Sequence, residues 1–238
     1  MITPTGEQKL LTIEASDRRI FKKSGWENVE KVERQKGIPD PASVAENQER
    51  SRRRALRTMT ELIMCNPFDW FMTLTLSPEA VDRESYEGCE HLFSRWMSNQ
   101  VQRKGASYIS VPEYHKDGKS IHFHLLANGA FKMTDSGHMR SGKPVYNITS
   151  WKHGFSTAQA ITGGEVAQIK VAKYCTKYMT KGAVKVGGRW YLSGGKLNRP
   201  VEIFGETPGE IMEKYGVEPI YHKKTEGLWG TYERYSFV

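Results

Sequence analysis

The stretch between residues 107 and 128 constrains the fold of this chain more than any other. It contains two segments rich in aliphatic, aromatic and β-branched residues, SYISVPEYH (107–115) and SIHFHLLAN (120–128), and each predicts a strand. The sequence KDGK lies between them, and its aspartate and glycine favour a tight reversal of the chain. The stretch therefore predicts a β-hairpin, and with it a sheet that contains antiparallel pairing.

The segments around this hairpin extend the prediction to an α+β domain. Hydrophobic periodicity predicts further strands over 69–78 and 154–161, and helices over 43–66, 82–104 and about 163–182. Because these elements do not alternate regularly as βαβ units, they indicate an antiparallel sheet with helices packed on one side. Residues 131–152 are polar and fit no element, and we assign none beyond residue 200.

Three regions are predicted along the chain. Residues 1–42 are mixed and charged, end in the Pro-rich sequence GIPDPAS, and are interpreted as an N-terminal extension or accessory region. Residues 43–200 form the main domain, and residues 201–238 form a C-terminal region to which we assign no role.

Composition excludes several classes of protein. The chain has 238 residues, of which 38% are hydrophobic, enough to bury a core. It contains no apolar run long enough for a bilayer and no apolar centre of a signal peptide near its start. The three cysteines are odd in number and far apart, which favours neither a disulfide framework nor a thiolate zinc site. We therefore expect a cytoplasmic protein without membrane association.

The charge of the chain points to a polyanionic partner. The formal net charge is +8, which favours nucleic acid. Basic residues are concentrated between residues 163 and 200, where Glu165 is the one acidic residue. They are Lys170, Lys173, Lys177, Lys181, Lys185, Arg189, Lys196 and Arg199. A solvated basic face is the alternative interpretation.

Two histidines in the second strand of the hairpin suggest a metal site. Because side chains alternate along a strand, His122 and His124 share one face while Ile121, Phe123 and Leu125 lie on the other. A histidine pair alone is a weak signal, but Glu113 can lie across the turn from it. Two imidazoles and a carboxylate would suit Mg²⁺ or Mn²⁺. His115 has the same strand parity as Glu113 and is a competing ligand.

The predicted helix at 163–182 carries two tyrosines away from its apolar side. At about 100° per residue, Ile169, Ala172, Cys175, Thr176 and Met179 fall on one side. Tyr174 and Tyr178 fall on the opposite side, with Lys170, Lys177 and Lys181. A phenol becomes a nucleophile when its negative charge is stabilised, and lysines would also attract phosphodiester oxygens. The alternative is an ordinary amphipathic helix with exposed tyrosines.

Three segments together resemble a known superfamily. FMTLTL (71–76), HFH (122–124) and YCTKYMTK (174–181), in this order, resemble the motifs of the HUH endonucleases. The type is the two-tyrosine replication initiator of small single-stranded DNA phages and rolling-circle plasmids. In the relaxases of conjugation the tyrosine precedes the histidines, whereas here it follows them. The resemblance covers roughly residues 69–182.

The resemblance implies a fold, a site and an activity. The fold would be a five-stranded antiparallel sheet of RRM-like topology with flanking helices. Glu113, His122 and His124 would bind one divalent metal, Mg²⁺ or Mn²⁺. Tyr174 or Tyr178, assisted by Lys177 and Lys181, would attack single-stranded DNA at a replication origin, leaving a 5′-phosphotyrosyl link and a free 3′-hydroxyl. We expect the DNA contacts at Lys170, Lys173, Arg189, Lys196 and Arg199.

The same resemblance implies partners and leaves two alternatives. The partners would be origin DNA and the helicase and polymerase of a bacterial or archaeal host, because no phosphate-binding loop for an ATPase is present in GKS (118–120) or GHMRSGKP (137–144). A transposase would use the same chemistry. A non-catalytic RRM-like module would instead bind nucleic acid by stacking bases on Trp70, Phe71 and Phe123.

Overall fold

The computed structural model describes residues 12–16, 40–180, 185–200, 206–227 and 230–236. The chain divides into two compact units, one made of residues 1–50 with 201–238 and the other of residues 51–200. The region boundaries at residues 42 and 200 stay sequence predictions. Within the described parts of the chain, every helix is too short or too polar to cross a bilayer.

Helices and strands both contribute to the fold, which confirms the α+β class. In chain order the elements are β1 (Thr12–Ser16), α1 (Pro41–Cys65), β2 (Trp70–Leu76), α2 (Tyr86–Lys104), β3 (Ser107–Tyr114), β4 (Ile121–Asn128), β5 (Met133–Arg140), β6 (Lys143–Ile148), β7 (Gly154–Ala160), α3 (Gly164–Thr180), β8 (Leu192–Gly194), α4 (Pro208–Tyr215), β9 (Tyr221–Gly227) and β10 (Gly230–Ser236).

The unit of residues 51–200 is built on a large antiparallel sheet. Its strand order is β5-β6-β7-β2-β4-β3-β8, and each neighbouring pair runs antiparallel. The expected count of five strands was wrong, because this sheet has seven. The RRM-like order of strands stays a prediction. Strand β4, which carries the two histidines, lies inside the sheet between β2 and β3.

The hairpin formed by β5 and β6 occupies the segment to which the sequence assigned no element. Its turn consists of Ser141 and Gly142, whose φ angles are 52° and 73°. Two positive φ values in a two-residue loop are typical of a type I′ turn, which matches the twist of a hairpin. Most of β5 is exposed, so the strand lacks the apolar alternation by which strands are recognised.

Two apolar clusters lie on opposite faces of the sheet. On one face α2 packs its Phe93 against Phe123 of β4, with ring centroids 4.2 Å apart. On the other face Leu126 of β4 belongs to a cluster with residues of α1 and α3. The expectation that the helices pack on one side was therefore wrong, because strand parity predicts two faces but not what covers each. The histidines point to the face of α1 and α3.

The three cysteines, Cys65, Cys89 and Cys175, are free and buried. Burial of Cys175, on the side of α3 that faces the sheet, raises the pKa of its thiol to about 12. Burial likewise raises the pKa of Cys89 to about 11. Since the thiolate is the reactive form, both side chains behave as small apolar residues of the core.

The unit that contains the C-terminal residues has its own small sheet, in the antiparallel order β1-β10-β9. Helix α4 begins with a capping box, in which Glu210 N–H donates to Thr207 Oγ1 (3.3 Å) and Thr207 N–H donates to Glu210 Oε2 (2.7 Å). Reciprocal bonds of this kind satisfy the first N–H groups of a helix.

Replacement of Phe123 by alanine tests the packing of α2 against the sheet. The ring is fully buried, so its removal leaves a cavity, and we expect Phe123→Ala to lower the free energy of unfolding by about 3–5 kcal/mol. Phe155→Ala is the matched control, because that ring lies in β7 and is 64% exposed, and its loss should cost less than about 1 kcal/mol. Urea denaturation measures both, and equal losses would contradict the assigned faces.

Candidate metal centre and tyrosine helix

Glu113, His122 and His124 converge on one point. The register of β3 and β4 places Glu113 directly opposite His122, and His124 follows on the same face. Glu113 Oε2 lies 3.1 Å from His122 Nε2 and 2.9 Å from His124 Nε2, and the two imidazole nitrogens are 3.1 Å apart. In the described part of the chain, this is the one group of three such side chains able to hold a metal ion. His115 is not part of it.

The cluster is largely removed from water. The side chains of Glu113 and His124 are 10% and 8% exposed, and that of His122 is 14% exposed. Burial lowers the pKa of His122, the His124 ring lowers it further, and the Glu113 carboxylate opposes both effects. The His122 ring is thereby favoured in its neutral form, which is the form that ligates metals.

The spacing of the three donor atoms fits a divalent cation. An octahedral ion with bonds of about 2.1 Å holds adjacent ligand atoms about 3.0 Å apart, and the three separations lie between 2.9 and 3.1 Å. Two nitrogens and one oxygen on one side of such an ion leave its remaining positions open. The group could therefore hold a metal that also contacts a ligand.

Neighbouring strands fix the orientation of His124. Thr73 of β2 is its register partner, and Thr73 Oγ1 lies 3.0 Å from His124 Nδ1. A hydrogen bond at Nδ1 leaves the lone pair of Nε2 directed at Glu113 and His122. On the other side, Ser110 Oγ donates to the His124 carbonyl at 3.1 Å. The sequence analysis missed both residues, which only the strand register brings to the site.

The ring of Phe71 connects His124 with Tyr174. It lies nearly parallel to the His124 ring, at 6.0 Å between centroids and 8° between planes. It meets the Tyr174 ring edge to face at 5.3 Å. One side chain of β2 thus contacts both a member of the cluster and the predicted nucleophile on α3.

Helix α3 presents Tyr174 outward, as the sequence predicted. Tyr174 is 39% exposed, whereas Ala172 and Cys175 are 3% and 4% exposed. The backbone of Tyr178 is helical, one turn further along, but its side chain lies outside what the structure describes. Lys181 lies outside the described residues.

The predicted DNA-binding cations differ in their surroundings. Lys170 lies one turn before Tyr174 and lines the same groove. The side chains of Lys173, Lys177, Lys196 and Arg199 are exposed. Arg189 forms an ion pair with Glu90 of α2 at 3.4 Å, which directs its guanidinium group toward that helix. The structure therefore brings Lys170 to the tyrosine but gives no such contact for Arg189.

Loss of one histidine should abolish metal binding. We expect His124→Ala to weaken Mn²⁺ binding by more than the about 10- to 100-fold that outer residues of metal sites cost. His115→Ala is the matched control, because its ring contacts His122 (5.5 Å between centroids) without joining the cluster. Electron paramagnetic resonance of free Mn²⁺ measures both affinities. Unchanged binding by the His124 variant would contradict the site.

The hydroxyl of Thr73 should contribute to metal affinity without touching the ion. Thr73→Val keeps the shape of the side chain but removes the hydrogen bond to His124, and we expect about 10- to 100-fold weaker Mn²⁺ binding. Thr73→Ser retains the hydroxyl and should bind within about threefold of the unaltered protein. Isothermal titration calorimetry distinguishes the two variants, and equal affinities would mean that the hydroxyl does not orient the ring.

Comparison with known proteins agrees with the resemblance found in the sequence. Neither the curated proteins nor the solved structures give a significant match. A family model does match, and it spans both the metal cluster and the tyrosine helix. Residues 69–183 match the family of the replication-associated protein ORF2, which confirms the resemblance to replication initiators over this part of the chain.

Proposed function

We propose that the protein initiates rolling-circle replication by cutting and rejoining single-stranded DNA at an origin, with Tyr174 or Tyr178 as the nucleophile. One observation carries the proposal: the Phe71 ring contacts both His124 of the metal cluster and Tyr174. A group that can hold a cation and an exposed phenol are thereby held beside each other. The match of residues 69–183 to a replication-associated family supports the same role.

The reaction would be a transesterification. The phenolic oxygen of the tyrosine bonds to phosphorus, and the bond from phosphorus to the 3′-oxygen of the preceding nucleotide breaks. The phenol loses its proton to solvent, and the departing 3′-oxygen gains one. The products are a 5′-phosphotyrosyl link and a free 3′-hydroxyl, which could prime DNA synthesis. Because the phosphodiester energy is kept in the link, the reverse step can rejoin the strand.

Glu113, His122 and His124 would hold a divalent ion, Mg²⁺ or Mn²⁺. When bound, such an ion polarises the scissile phosphate and stabilises the charge that develops on its oxygens. Glu113 supplies the negative charge that offsets that of the cation, and the neutral imidazoles supply nitrogen donors. Thr73 would keep the His124 ring in the orientation that binding requires.

The lysines of α3 would stabilise negative charge near the nucleophile. Lys170 and Lys177 lie one turn before and one turn after Tyr174 on the helix, so both ammonium groups can approach the same strand of DNA. Lys181 would extend this series. Lys173, Lys196 and Arg199, with Arg189 when it leaves Glu90, would contact phosphates further along the strand.

The second tyrosine would allow a second strand transfer. Tyr174 and Tyr178 are spaced by about one helical turn, so one can hold the covalent link while the other attacks. This would release the displaced strand as a circle. Host helicase and polymerase would act on the same DNA in the cytoplasm of a bacterial or archaeal cell, on an RRM-like arrangement of the central strands. A transposase would use the same residues.

A purely stacking, non-catalytic module fits the structure less well. Of the aromatic residues that would serve as its platform, Phe123 is fully buried against Phe93. Trp70 is half-buried and packs edge to face on Tyr146 at 5.7 Å. Phe71 alone of the three lies beside the cluster.

Formation of a covalent adduct tests the proposed function. A pool of 3′-labelled single strands of randomised sequence is incubated with the protein and Mn²⁺. We expect a labelled band that survives denaturing electrophoresis, because the 3′ fragment stays attached through its 5′-phosphate. The adduct should disappear with a chelator and in the double variant Tyr174→Phe/Tyr178→Phe.

Tyr221→Phe provides the matched control, because Tyr221 is 53% exposed and lies outside the matched segment. This variant should form as much adduct as the unaltered protein. Adduct formation by the double variant would overturn the assignment of the tyrosines, and cleavage that persists with a chelator would overturn the role of the metal.

A further inference from the structure

A groove lies between the tip of the β5–β6 hairpin and the exposed side of α3. It measures about 650 Å³, within the range of about 300–1,000 Å³ usual for small-ligand pockets. Phe71 and Tyr174 line one end, where the groove meets the candidate active site. The sequence analysis left the hairpin unassigned, so half of this groove was not anticipated.

The hairpin side of the groove is held in place by two contacts with β7. Gln159 Nε2 donates to the Arg140 carbonyl at 3.0 Å, and Lys143 Nζ donates to the Ala160 carbonyl at 3.4 Å. Both contacts flank the type I′ turn at Ser141 and Gly142. The wall therefore exists before any ligand binds, which lowers the entropic cost of binding.

The chemistry of the lining matches a nucleotide in three respects. The rings of Phe71 and Tyr174 offer aromatic surface at one end. Gln159 offers an amide whose carbonyl and second N–H are directed away from the contact with Arg140. Arg140, Lys143 and Lys170 place positive charge around the groove, and among the described side chains that line it none carries a carboxylate.

Each of these features has a counterpart in single-stranded DNA. Bases stack on aromatic side chains, and phosphates pair with lysine and arginine. A side-chain amide can bond to the paired donor and acceptor on the edge of adenine. A lipid or an uncharged metabolite would leave three cations unmatched, and a peptide would not use both the aromatic end and the amide.

We infer that this groove binds one base of the single strand next to the phosphate attacked by tyrosine, and that Gln159 reads its edge in favour of adenine. The inference extends the proposed function, since it concerns the same DNA strand. The protein would then select its cleavage site through the unassigned hairpin as well as through α3. Gln159 acts here as a specificity residue and takes no part in the chemical step.

Binding without metal tests this inference separately from strand cleavage. Fluorescein-labelled homopolymers of deoxyadenosine, thymidine and deoxycytidine, each of about twelve nucleotides, are titrated with the full chain in the presence of a chelator. A strand of equal length without bases is the fourth probe. Fluorescence anisotropy gives the dissociation constant of each.

We expect the deoxyadenosine strand to bind most tightly and the strand without bases about fivefold to a hundredfold more weakly. In Gln159→Ala the three homopolymers should bind within about twofold of one another, because the amide that distinguishes them is absent. Gln102→Ala is the matched control: this glutamine is exposed on α2, on the other face of the sheet, and its variant should keep the full preference.

A second variant protects the test against a merely structural effect. Ala167→Phe places a ring in the groove from α3, so it should weaken binding of strands that carry bases and leave binding of the strand without bases unchanged. Equal binding of strands with and without bases, or an unaltered preference in Gln159→Ala, would overturn the inference. If these preferences hold while no adduct forms with Mn²⁺, the proposed function fails and the base site stands.

Discussion

The register between β3 and β4 is the constraint on which the whole site depends. Side chains alternate between the faces of a sheet, so a slip of one residue would move Glu113 to the face covered by α2 and separate it from both histidines. The short turn after Tyr114 and the burial of Phe123 and Leu125 on the opposite face prevent that slip. The ligand set is thus fixed by the same apolar contacts that form the core.

Electrostatics explains why the cluster needs a cation. A carboxylate that is only 10% exposed has lost most of its hydration, and such a loss is costly unless a positive charge or hydrogen bonds replace the water. Burial lowers the pKa of the neighbouring His122, so that ring compensates the carboxylate only weakly through its own charge. A divalent ion among the three donors would remove this imbalance, and its loss should make the cluster the least favourable part of the sheet.

How much of this arrangement could be predicted depends on the distance over which each part is determined. Glu113, His122 and His124 were predictable because one hairpin with a short turn brings them together. Tyr174 was predictable because helical periodicity alone places it opposite Ala172 and Cys175. Thr73 depends on the pairing of β2 with β4, which no local pattern specifies. The β5–β6 hairpin was missed since its strands are mostly exposed, although Ser141-Gly142 resembles a hairpin turn sequence.

The burial of Cys175 has a consequence for the selectivity of the chemistry. A thiol is ordinarily more acidic and more nucleophilic than a phenol, and this one is the immediate sequence neighbour of Tyr174. Its position on the inward side of α3, where its pKa rises to about 12, keeps the sulfur away from the strand that the phenol would attack. The helix thereby separates two competing nucleophiles by rotation alone: the phenol faces the polyanion, while the thiol remains a protonated part of the core.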